Sequence, residues 1–168
     1  MKRLVLLRHA KSSWEDPRLD DHERPLARRG RTAKRRLSRW IATHDITPDV
    51  VVCSPAVRAR ATIEPLLDAL GGPRLVLDER LYHASASRLL GLLRELDDGV
   101  DEVVLVGHNP GLADLCVVLA RPGPHRERVA VKLPTGALVT LHADVAAWAA
   151  VGPETADIVH LVLPRELR

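Results

Sequence analysis

The chain has 168 residues, 46% apolar and 28% charged, which suits one domain with a substantial core. Its 25 basic and 22 acidic side chains leave a net charge of +3, and with no Phe, one Tyr and three Trp it lacks the aromatic platforms of a base-stacking surface, so nucleic acid is not an expected partner. No apolar run approaches the ~18 residues of a membrane span, and a strand expected from Arg3 leaves no room for a signal peptide, so the expectation is a cytoplasmic protein without a membrane partner.

The apolar run Leu4-Val5-Leu6-Leu7 marks a first strand, Arg3–Leu7, that ends at Arg8-His9. A loop rich in carboxylates and arginines, Ser12–Arg28, follows. Gly30–Thr43 then sets Ala33, Leu37, Trp40 and Ile41 on one stripe, the mark of a helix with Trp40 in the core. Val50–Cys53 is a second strand. Ser54-Pro55 starts a helix over Ala56–Leu70, which Gly71-Gly72 stops. Arg74–Leu77 reads as a strand, Ser87–Leu96 as a helix and Glu102–Val106 as a strand; Asn109-Pro110 opens a further helix that runs to Ala120. Arg121–Arg128, with Pro122, Gly123 and Pro124, reads as an exposed loop. The last two strands, Ala137–His142 and Asp157–Leu163, are joined with at most a short helix at Val145–Val151, so an antiparallel edge is expected. Val- and Leu-rich strands without polar alternation are covered on both faces. The expected architecture is a single three-layer α/β/α domain over residues 1–168, with a mostly parallel sheet. Cys53 and Cys116 lack CxxC spacing and read as small buried hydrophobes; Trp148 carries no signal.

Strand one ends at Arg8-His9, strand two at Ser54 and strand four at Gly107-His108, and in a parallel sheet those ends share one edge. Open α/β sheets place ligands there. The layout gathers two histidines and at least two arginines, Arg8 and Arg58, into one pocket. A histidine nitrogen can carry a phosphoryl group covalently, and an arginine fork matches phosphate oxygens. The helices opening at Ser54-Pro55 and Asn109-Pro110 add N-termini that favour anions. Each piece alone has a bland reading, a surface histidine or an ordinary helix start. Their convergence on one edge points to phosphoryl chemistry.

Arg8-His9-Ala10-Lys11-Ser12-Ser13-Trp14 resembles an R-H-G-x-S signature, with Ser12 and Trp14 in register. Arg24-Pro25-Leu26 before Arg29-Gly30 resembles the segment that leads into the first helix of the same family. Ser54-Pro55-Ala56-Val57-Arg58-Ala59 with Thr62 resembles its S-P-x-x-R-A-x-x-T motif, and Gly107-His108-Asn109-Pro110 its second histidine segment. Together these motifs resemble the histidine phosphatase superfamily, also called phosphoglycerate mutase-like, and most closely its small SixA-type phosphohistidine phosphatases.

That resemblance implies a nucleophile at His9, with Arg8, Arg58 and His108 binding the phosphoryl oxygens and stabilising charge. Ser12 and Arg24 would contribute to substrate binding. No metal or cofactor is implied, and the sequence has no His/Asp/Glu cluster at metal-ligand spacing. Ala10 replaces the signature glycine, which requires a compatible backbone. Where larger members supply a glutamate acid after the third strand, this chain has Leu81-Tyr82-His83-Ala84. Asp21, whose spacing to Arg24 resembles that of the small branch's acidic residue, is the preferred proton donor, with Glu23 and Glu15 as alternatives. His22 and His83 are candidates for the pocket mouth and Trp14 for its wall; His44, His125, His142 and His160 read as surface or partly packed residues. Short connections leave an open cleft, and a P–N leaving group tolerates a weak acid better than an alkoxide does. The expected substrate is therefore a phosphorylated protein carrying phosphohistidine; a small phosphate ester is the enzymatic alternative, a mutase is less favoured, and a non-catalytic phosphate-binding module is the alternative of another class.

Overall fold

The structure, a computed structural model, describes residues 1–168. Six strands form one sheet: β1 (Lys2–Arg8), β2 (Val50–Cys53), β3 (Arg74–Leu77), β4 (Glu102–Gly107), β5 (Leu138–Ala143) and β6 (Ala156–Val162), in the order β3-β2-β4-β1-β5-β6. The β3–β2, β2–β4 and β4–β1 pairs are parallel, whereas β1–β5 and β5–β6 are antiparallel. The antiparallel pairing thus falls at the expected edge; the reversed strand is β5, one position in from it.

Alternation along the buried strands divides the core into two. Leu4 and Leu6 of β1, with Val103 and Leu105 of β4, face α3 (Ala86–Arg94), α4 (Gly111–Leu119) and α5 (Pro124–Val131). Val5 and Leu7, with Val104 and Val106, face α1 (Arg28–Ile41) and α2 (Val57–Ile63). This is the three-layer arrangement that two-sided apolar strands require. Cys53 and Cys116 are free and fully buried within these layers.

Three local expectations are corrected. The helix expected over Ala56–Leu70 is α-helical only to Ile63 and tightens to a 3-10 turn at Glu64–Leu66. Pro65 explains this, since it donates no amide hydrogen and its ring crowds the carbonyl one turn back. The segment expected to be a loop holds α5, which begins at Pro124 in the first helical turn and buries Val129. Trp40 is half-buried with His44 stacked on it, centroids 3.8 Å apart. It is Trp148 that is fully buried, its Nε1–H donating to the Val100 carbonyl at 2.7 Å.

Two glycines set the helices against the strand ends. A Cβ on Gly30 would collide with the Lys11 backbone, and one on Gly111 with the Ala84 carbonyl. The first turns of α1 and α4 can therefore lie directly on the segments that follow β1 and β3.

Candidate active site

Register brings the key residues together. Arg8 pairs with Gly107 and Cys53 with Val106, so His9, Ser54 and His108 emerge side by side at the carboxyl edge. The His9 amide bonds the Gly107 carbonyl at 3.1 Å, and the Ser54 amide bonds the Val106 carbonyl at 2.9 Å. These side chains are at most 6% exposed.

His9 Nδ1 lies 2.8 Å from the Ala10 carbonyl, an acceptor, so Nδ1 carries the proton. Nε2 keeps its lone pair and faces Arg58 Nε at 3.4 Å. His108 is arranged in the opposite sense. Its Nδ1 faces Arg58 Nη2 at 3.3 Å and must accept, so Nε2–H points to Ser54 Oγ, 2.8 Å away. The two rings sit 5.1 Å apart.

Burial, together with the charges of Arg58, Arg8 and Arg24, lowers the His9 pKa to about 4, against a smaller upward pull from the Ala10 carbonyl. Burial, then His9, Arg58 and His83, lowers His108 to about 3. Both rings are neutral at pH 7. An uncharged imidazole with an open Nε2 is the form able to attack phosphorus.

Arg58, from the first turn of α2 and 4% exposed, is the hub of the site. Besides both histidines it reaches the Asp21 carbonyl at 2.6 Å and Asp21 Oδ2 at 2.9 Å. One turn along α2, Thr62 Oγ1 donates to the Arg58 carbonyl at 2.7 Å and accepts the Ala10 amide at 2.9 Å. That hydroxyl ties the histidine segment to the arginine helix. Ala10 is fully buried with a backbone outside the left-handed region, which is why alanine serves in place of glycine. Arg8 is anchored by the Leu133 carbonyl at 2.9 Å, while its Nε is buried without a partner. Asn109 Nδ2 donates to the same carbonyl at 2.8 Å.

The Ser12–Arg28 loop closes one side. Arg24, 6% exposed, donates from Nε and Nη2 to Asp21 Oδ1 at 3.1 and 2.9 Å and from Nη1 to Ser12 Oγ at 2.7 Å. Its guanidinium lies 3.5 Å from the ring centroid of Trp14, which is 70% exposed. Ser12 and Trp14 thus hold Arg24 in place. Asp21 Oδ2 also accepts from the Tyr82 hydroxyl at 2.6 Å. Partial burial opposes ionisation of Asp21, but the hydrogen bonds from Tyr82, Arg24 and Arg58 outweigh it and hold its pKa far below the usual carboxylate range.

Asp21 therefore lies where the sequence places it, but as an anion at neutral pH. A carboxylate in that state has no proton to give. Neither alternative replaces it: Glu23 is exposed and bonded to His22 at 3.2 Å, and Glu15 is exposed. His83 Nε2 approaches Asp21 Oδ2 at 3.8 Å, and His22 packs edge-on against Tyr82 at 5.0 Å, so both stand at the mouth.

A family profile described as histidine phosphatase superfamily (branch 1) matches residues 4–145. The chain belongs to that superfamily. Among curated relatives, an uncharacterised Mycobacterium tuberculosis protein is 33% identical over 163 residues, covering 95% of this chain and 100% of the relative. A solved structure from Agrobacterium tumefaciens, described as a candidate phosphohistidine phosphatase SixA, superposes with a TM-score of 0.81 at 26% identity, over 97% of this chain and 98% of that one. A tungstate complex of the protein histidine phosphatase SixA shares the fold, with a TM-score of 0.79 at 20% identity over 99% of each chain. This histidine phosphatase superfamily member is a phosphatase of phosphoglycerate mutase-like fold.

Sequence reasoning did not foresee the contacts that Tyr82, Thr62 and Ser54 make in the site of this histidine phosphatase. Thr62 and Ser54 are in the quoted motifs, but their contacts need the third dimension. Tyr82 has a sequence signal in hindsight. The chain's single tyrosine stands just past β3, at the sheet edge that carries the chemistry.

Proposed function

We propose that the protein hydrolyses protein phosphohistidine through a covalent intermediate on His9. In the first step His9 Nε2 forms a bond to phosphorus while the P–N bond to the substrate imidazole breaks. Arg8 and Arg58 hold the phosphoryl oxygens and balance their charge as it spreads in a loose transition state, and the bound negative charge favours protonation of His108 at Nδ1, which then donates to the same group. The departing imidazole leaves as a neutral base, its nitrogens sharing one proton taken from solvent. Water then attacks the phosphohistidine, releasing inorganic phosphate and restoring neutral His9.

One observation carries the choice of substrate. The carboxylate at the site, Asp21, is held ionised by Tyr82, Arg24 and Arg58. An alkoxide departs badly without an acid, whereas a protonated imidazole departs without one. Ser12 and Arg24 act in this reading by fixing the Asp21 wall of the substrate pocket.

The test compares kcat/KM on a phosphohistidine-bearing protein with values for a panel of alkyl phosphate metabolites. At least 100-fold preference for the phosphohistidine protein is expected. His9→Ala should abolish turnover and the acid-labile, base-stable label that wild type acquires from labelled substrate. Faster turnover of an alkyl phosphate would replace this reading with that of a small-molecule phosphomonoesterase.

A further inference from the structure

A cleft of about 660 Å³ lies beside the His9 pocket and is lined by different residues except for Arg8. Its floor carries Arg8 and Lys11, which bracket the His9-Ala10 segment. One wall is α1, presenting Arg28, Arg29 and Arg36; the other brings Lys132 and Arg165. No acidic residue lines it, and none of its cations is ion-paired anywhere in the fold. Elsewhere, by contrast, basic side chains such as Arg60, Arg80, Arg121 and Arg128 do have carboxylate partners.

The sequence concentrates this charge. α1 holds seven of the chain's 25 basic residues and no acidic one, so the rest of the chain has an acidic excess of four. Arginines at the start of a helix oppose its dipole, and the N-cap residue Ala27 makes no side-chain cap. Such an arrangement carries an electrostatic cost that a bound anion removes. Gly30 lies against the Lys11 backbone and so fixes this wall beside the nucleophile segment.

We propose that this cleft is a second anion-binding subsite beside the phosphoryl pocket, fitted to a compact oligophosphate ligand. The inference rests on the assignment of that pocket to His9, and it goes beyond it to a ligand class. The volume is in the range of small-ligand pockets. Besides prolines, only Ala33 and Leu163 supply aliphatic lining, too little for the apolar centre of a protein-docking surface. A ligand of high charge density is what so many unpaired cations in so small a space select.

The experiment measures binding of inorganic tripolyphosphate and of orthophosphate to the full-length protein at ~0.15 M salt. Tripolyphosphate should bind at least 30-fold more tightly. In the paired variants Arg29→Ser with Arg36→Ser, and Lys132→Ser with Arg165→Ser, that ratio should fall about tenfold, with orthophosphate affinity moving less than threefold. All four residues are at least partly exposed, so the fold should stand, with melting temperature as the control. Equal affinity for the two anions in wild type, or an unchanged ratio in both variant pairs, would overturn the proposal. So would an oligoglutamate peptide that binds as tightly as tripolyphosphate and is lost in the same variants, because the cleft would then be a docking face for acidic protein segments. Persistent turnover by His9→Ala would sink the catalytic assignment yet leave the tripolyphosphate comparison unaffected, so the two failures are distinguishable.

Discussion

Acidification from pH 7 to pH 5 separates a buried, preorganised histidine pair from an ordinary one. A histidine with a pKa of 6.5 is only about 3% unprotonated at pH 5, whereas one at about 4 remains about 90% unprotonated. The nucleophilic fraction of His9 should thus exceed that of an unperturbed imidazole by roughly 30-fold at pH 5. The folded pKa of both rings is depressed, so between about 4 and 6.5 the unfolded chain binds more protons than the native one. The stability they contribute is complete above about pH 6.5 and is lost as pH falls through that window. For His9 alone the loss is on the order of 3 kcal/mol. The free protein is the sample to use, because ring-proton NMR shifts then report His9 and His108 without interference from substrate ionisation. Denaturant midpoints at pH 7 and pH 5 measure the linked stability. Titration of either ring near 6.5, or unchanged stability between the two pH values, would refute the argument that burial and the arginine cluster set their charge.

Asp21→Asn removes the anion that Arg58 and Arg24 share, so orthophosphate should inhibit at roughly three- to tenfold lower concentration, while stability falls by about 1–2 kcal/mol as buried Arg24 loses its partner. Turnover of alkyl phosphate and p-nitrophenyl phosphate should change in parallel; a loss confined to the alkyl ester would restore Asp21 as the acid. Gly30→Ala drives a Cβ into the Lys11 backbone and should cost about 1–3 kcal/mol in chemical denaturation, and a wild-type midpoint would show that the α1 contact is loose.

The sheet edge was legible in the sequence because parallel strands of Val and Leu end in residues of an entirely different kind. Arg8-His9, Ser54 and Gly107-His108 each follow an apolar run, and parallel register aligns run ends. The Asp21 carboxylate was legible as a position but not as a charge state. That state depends on Tyr82, 61 residues away, and on Arg58, 37 residues away. Helix boundaries failed where proline acts in two senses, ending α2 at Pro65 and starting α5 at Pro124. Trp148 failed for another reason. Its burial comes from the packing of its own 3-10 turn, Trp148–Ala150, against α3, and no periodic pattern surrounds it.

The same contacts explain how a phosphate clamp persists before its ligand arrives. Arg58 is 4% exposed, and a guanidinium that deep without a counter-charge would be strongly destabilising. Asp21 supplies the charge, and Tyr82 and Arg24 hold it in place. A phosphoryl group brings more negative charge than one carboxylate, together with oxygens that Arg8 can also meet, so it can outcompete Asp21 for Arg58. The carboxylate can keep its other partners, Tyr82 and Arg24, and the loop need not unfold. A group chosen to neutralise the empty clamp must be ionised, and a general acid must not be. Asp21 cannot meet both demands at one pH, and in this site its geometry meets the first.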